Sequence, residues 1–77
     1  MSVKVRYFAS LKESIGRSED KLLFTGVITV GQVWCQANPD KTLPVNSLAA
    51  VNMDYVGLDS VVNDGDEVAF FPPVTGG

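Results

Sequence analysis

Hydrophobic and polar positions alternate at the start of the chain, with Val3, Val5 and Tyr7 on one parity and Lys4, Arg6 and Phe8 on the other. That period of two predicts a half-buried strand. From Ser10 to Ile15 the spacing changes: Leu11 and Ile15 are four apart and share one face of a short helix, with Gly16 as its stop. A second strand is predicted over 20–25 around Leu22-Leu23-Phe24, antiparallel to the first because the link is short. After Gly26, Thr29 followed three residues later by Gln32 has the form of a capping box. Val30, Val33, Trp34 and Ala37 then give one apolar stripe, and Asn38-Pro39 ends the helix. Gly31 weakens that helix by up to about 1 kcal/mol, less in the first turn. Trp34 reads as its packing anchor.

Residues 41–47 contain Pro44 and read as a loop, and 48–53 returns as a strand whose Ala49 and Ala50 permit close packing under the helix. The stretch 54–62 reads as irregular, with Tyr55, Val56, Leu58, Val61 and Val62 closing one end of the core. Asn63-Asp64-Gly65-Asp66 is a turn that leads into a last strand ending at Phe71. In that strand Val68 and Phe70 face one way, Ala69 and Phe71 the other. One of the two phenylalanines is therefore expected in the core and the other exposed as an apolar anchor for a partner. The order strand, strand, helix, strand, irregular link, strand predicts an α+β domain of the β-grasp, ubiquitin-like type. It has a mixed sheet of four to five strands and one main helix across one face.

Pro72 and Pro73 remove two backbone donors, so pairing cannot continue past Phe71. The expected division is a domain over 1–71 and an extended, flexible tail over 72–77. Six residues from Pro72 reach roughly 20 Å. Gly76 and Gly77 carry no Cβ, so the backbone passes a narrow channel and presents an unhindered carboxylate at Gly77. Thr75 and Val74 give such a channel something to grip, and Pro72 and Pro73 lower the entropy lost on ordering. Adenylation by a partner followed by sulfur or amine transfer is the chemistry such a terminus supports, and an inert frayed end is the plain alternative.

Composition narrows the classes. The chain has 77 residues, one cysteine and no histidine, which removes disulfide frameworks, histidine-based triads and ordinary zinc sites. No metal ligand set is expected. Cys35, without a histidine to activate it, reads as a small packing residue. No apolar run has the length of a membrane span or a signal peptide, so a soluble cytoplasmic protein is the expectation. Net charge is −3, and all six basic residues lie at or before Lys41, whereas Asp54, Asp59, Asp64, Asp66 and Glu67 have no basic companion. This disfavours nucleic acid and anionic membranes. The acidic half fits either a basic docking surface on a partner or a solvated edge.

Taken together, Val5-Arg6-Tyr7-Phe8-Ala9 with Leu11, Lys12, Glu13 and Gly16, Thr29-Val30, the run 48–52 and above all the run 63–77 resemble the small, sulfur-carrying subunit of molybdopterin synthase, a ubiquitin-like sulfur carrier family. The helix departs from that pattern at Gly31, Trp34 and Cys35, and the loop between Asn38 and Ser47 is short. The resemblance implies a non-catalytic subunit of an enzyme complex that binds no cofactor itself. An adenylyltransferase of the ubiquitin-activating kind, using ATP and Mg²⁺, would activate Gly77, and a sulfurtransferase would convert it to a thiocarboxylate. The tail would then enter the large subunit of a heterotetramer and give its sulfur to cyclic pyranopterin monophosphate, building the molybdopterin dithiolene. A carrier of the thiamine pathway and a protein modifier forming isopeptides are the rival readings. The Phe-Phe-Pro-Pro-Val-Thr run before the glycines favours the molybdopterin branch.

Overall fold

The computed structural model describes residues 1–73. The initial alternation forms β1, Ser2–Tyr7, with Val3, Val5 and Tyr7 buried. The short helix is α1, Ala9–Ile15, closed by Gly16 in the left-handed conformation its missing side chain permits. β2 spans Glu19–Leu23, ending before the expected boundary. Its apolar run divides: Leu22 is turned inward, Leu23 is 72% exposed, and Phe24 is buried just beyond the strand. Ile28–Thr29 forms β3 and Val30–Ala37 forms α2. The capping box is complete, since the Gln32 amide donates to Thr29 Oγ1 at 3.3 Å and the Thr29 amide to Gln32 Oε1 at 2.8 Å. Leu48–Val51 forms β4, and Glu67–Phe71 forms β7 after the turn at Gly65.

The stretch expected to be irregular contains two short strands, β5 at Asp54–Val56 and β6 at Val61–Val62. β5 extends the main sheet as an edge strand, and β6 pairs with β3. Only part of that stretch closes the core: Val62 is buried and Val56 packs against the core, while Tyr55, Leu58 and Val61 are exposed. The main sheet runs β2-β1-β7-β4-β5, with β1 and β7 parallel and the other neighbours antiparallel. One sheet face meets α2 through Val5, Tyr7, Val68 and Phe70 against Val30, Val33 and Trp34. This five-stranded mixed sheet under one main helix is the expected β-grasp arrangement.

The unusual helix residues have local explanations. A Cβ on Gly31 would sit 3.3 Å from the Leu58 carbonyl oxygen, which accepts the Gly31 amide at 2.9 Å. The Trp34 indole meets Tyr7 and Phe70 edge-on, at 5.8 and 5.1 Å between ring centroids. Its Nε1 donates to the Lys41 carbonyl at 2.8 Å, tying the short loop to the core. Cys35, by contrast, is exposed and does not pack inside.

Where α2 ends, buried Asn38 donates to the Tyr7 hydroxyl at 2.9 Å, and that hydroxyl donates to Asp20 at 2.8 Å. Arg17 bridges Asp20 and the Asn38 side-chain oxygen. Burial pushes the Tyr7 phenol above its ordinary range against the Asn38 hydrogen bond, and Asp20 adds to the rise. The folded chain thus keeps Tyr7 neutral where the unfolded chain ionises it, above about pH 10. The associated stabilisation is whole below that pH and is lost as pH climbs through the folded value. In urea unfolding series, the stability of the wild type relative to Tyr7→Phe is expected to stay level below about pH 10 and to decline above it.

Candidate functional site

Strand alternation places the two phenylalanines on opposite faces of the sheet. Phe70 has no exposed surface and lies in the core, stacked with Tyr7 at 6.4 Å. It is therefore unavailable to a partner. Phe71 emerges on the sheet face opposite α2, half-buried, at the point where β7 stops. There it stacks on Phe8, with ring centroids 4.7 Å apart and planes 10° apart, and meets Tyr55 at 6.0 Å.

The register explains why this face is open. Arg6, Ala69, Ala50 and Tyr55 are successive neighbours across β1, β7, β4 and β5. The two alanines form a low floor, while Tyr55, Phe71 and Met53 rise around it and enclose a depression of about 280 Å³. Of the alanine pair expected under the helix, only Ala49 faces the core cluster, and Ala50 belongs to this floor. Tyr55 is 71% exposed and Leu48 borders the same face beside Phe71. Arg6 forms part of the rim, its guanidinium 5.3 Å from the centre of the Phe8 ring and 3.5 Å from the Glu67 carboxylate. Both members of that pair are largely solvated, so it contributes orientation more than stability.

Pro72 and Pro73 follow Phe71, half-buried and outside any element. Val74, Thr75, Gly76 and Gly77 lie outside the described residues. The acidic half is partly internal structure: Asp64 accepts the Ser2 amide at 2.8 Å, and Asp66 accepts the Asn63 amide and the Asn52 side chain. These two carboxylates brace the turn that leads into β7. Among the described residues no cluster of histidine, cysteine or carboxylate side chains has a metal-holding arrangement. No helix there is long and apolar enough to cross a membrane.

Phe8 and Tyr55 are the site residues that the sequence reading missed. Phe8 shares the parity of Lys4 and Arg6, which reads as a solvated edge until β7 is placed beside β1. Parity with Phe71 across that pairing is the signal that would have found it.

The ThiS family model matches residues 5–77. The chain belongs to the ThiS family. Within that relationship, the molybdopterin synthase sulfur carrier subunit of Escherichia coli is 40% identical over 84 residues, covering 97% of this chain and 99% of the relative. The corresponding subunit of Haemophilus influenzae is 36% identical with the same coverage. The crystal structure of small archaeal modifier protein 1 from Haloferax volcanii matches with a TM-score of 0.78 at 27% identity, over 95% of this chain and 98% of that one. The fold of this ThiS family chain is thus shared by proteins named as carriers and as modifiers.

The opposed phenylalanines make a direct comparison. Phe70→Ala empties a fully packed site and is expected to cost about 3–5 kcal/mol of unfolding free energy. Phe71→Ala removes chiefly the contact with Phe8 and is expected to cost about 1 kcal/mol. Chemical denaturation of the two variants beside the wild type checks the ratio.

Proposed function

We propose that this chain is the sulfur carrier subunit of a molybdopterin synthase. The observation that carries the reading is near-full-length identity of 40% and 36% to curated proteins of that name. The geometry is consistent with it: β7 delivers the chain past Phe71 beside an open apolar face, and the donor backbone needed to extend the sheet is absent at Pro72 and Pro73. The large subunit docks over Phe71 and its neighbours, and the segment from Pro72 to Gly77 enters that subunit's active centre.

In this cycle a Gly77 carboxylate oxygen attacks the α-phosphorus of ATP on a ubiquitin-activating-like adenylyltransferase, with Mg²⁺ balancing the phosphate charge and pyrophosphate leaving. Persulfide sulfur on a sulfurtransferase displaces AMP to give an acyl disulfide, and a second thiol cleaves its S–S bond, leaving a terminal thiocarboxylate and a disulfide on the donor side. That sulfur, ionised at neutral pH, attacks cyclic pyranopterin monophosphate and opens its cyclic phosphate ester. Water then hydrolyses the resulting thioester, returning Gly77 as a carboxylate and leaving the sulfur on the pterin. A second thiocarboxylate repeats the transfer at the adjacent carbon, whose oxygen leaves as water, to complete the dithiolene. The carrier itself supplies no acid, base or metal. It supplies a nucleophile on a narrow stalk and a surface that aims it.

A second reading, a protein modifier, has one observation in its favour: the shared fold with the archaeal modifier protein. The two readings separate in a single preparation. Full-length chain incubated with cell extract, ATP and Mg²⁺ is expected to gain the mass of one oxygen exchanged for sulfur at its terminus, with no covalent ladder on a denaturing gel. Deleting Gly77 is expected to remove that mass change and to abolish molybdopterin formation by the reconstituted synthase. Ladders that require Gly77, without the sulfur mass, would establish the modifier instead.

A further inference from the structure

The hairpin between β4 and β5 carries a residue that its own turn does not favour. Val51 pairs with Asp54, leaving Asn52 and Met53 as a turn of two residues, and both have positive φ, 50° and 73°. A type I′ turn needs that geometry, and Asn-Gly is its preferred pair. Asn52 conforms and is locked in place: its Oδ1 accepts the Glu67 amide and its Nδ2 donates to Asp66, both at 3.0 Å, while its amide donates to the Glu67 carbonyl at 2.8 Å. Met53 stands where glycine is favoured, so its Cβ meets the steric penalty of the left-handed region. The side chain recovers little from its own fold, being 92% exposed.

An unforced strain at an exposed apolar residue beside a binding face is the pattern of a functional position. We propose that Met53 is a partner-contact residue that sets affinity for the subunit taking up the C-terminal segment. Its thioether is held out from the hairpin to enter that subunit's apolar surface. The inference rests on the docking face described under the proposed function and adds a residue and a cause to it. Continuity identifies the occupant: Met53 and Phe71 border one depression, and Phe71 is the last residue of β7 before Pro72. A protein that draws Gly77 into its active centre must cover Phe71 and so reaches Met53. An unbranched, polarisable side chain suits a surface that forms only on association.

The test sets stability against affinity. Met53→Gly relieves the turn, so the melting temperature of the isolated chain is expected to rise, while Kd for the large subunit, by titration calorimetry with the full-length chain, is expected to weaken about tenfold. Met53→Asn, which also tolerates positive φ but is polar, is expected to weaken binding likewise. Met53→Leu is expected to keep binding within about threefold. Unchanged Kd for Met53→Gly and Met53→Asn, with Phe71→Ala still weakening binding, would overturn the role of Met53 and leave the docking face standing. Unchanged Kd for Phe71→Ala as well would remove the face and the inference together. Loss of self-association by Met53→Gly in sedimentation, without loss of large-subunit binding, would assign the residue to contact between copies and overturn the proposal.

Discussion

Everything in this domain hangs on the parallel pairing of β1 with β7. It sets Val5 against Val68 and Tyr7 against Phe70 at the centre of the sheet, with Glu67 beside Lys4 and Ala69 beside Arg6. The buried side of that pair supplies the floor on which Trp34 sits, and β4 can join the sheet only because β7 is already there. Hydrophobic burial provides the drive, but the pairing decides which residues share a face. Without it the aromatic side chains of Tyr7, Trp34 and Phe70 have no common site.

The same pairing separates two tasks on adjacent residues. Phe70 is committed to holding the fold and Phe71 to what lies outside it, a division that a backbone with a period of two makes unavoidable. The outer face then inherits a particular relief: small side chains at Ala50 and Ala69, large ones at Phe8, Tyr55 and Phe71 around them. Contiguous exposed apolar relief of this kind is a feature of association surfaces. It lies at the end of β7, where the chain leaves the sheet.

Much of this was legible in the residues. Alternation at Val3, Val5 and Tyr7, the Thr29–Gln32 cap and the turn around Gly65 each have a local physical cause, and each formed where its pattern stood. The misses share one cause, dependence on distant partners. β5 and β6 are three and two residues long, too short to show a period, and exist because β4 and β3 offer them an edge. Tyr55 looked like a core residue until edge pairing with Ala50 turned it outward. Gly31 and Trp34 looked like departures from the family pattern, yet each answers a tertiary neighbour, the Leu58 carbonyl and the Lys41 carbonyl respectively. Of the five acidic residues of the second half, Asp64 and Asp66 serve turn hydrogen bonds and Glu67 pairs with Arg6, contacts that only the folded chain reveals.

The sequence distance spanned by β1 and β7 also constrains how the molecule comes into being. Closing a loop of that length precedes the contacts that reward it, and topologies of this sort acquire their native order late. A nascent chain still short of Glu67 has no middle strand, only the β1–β2 and β4–β5 pairs with nothing to join them and a helix with nothing to lie on. A compact domain therefore forms only once β7 has left the ribosome.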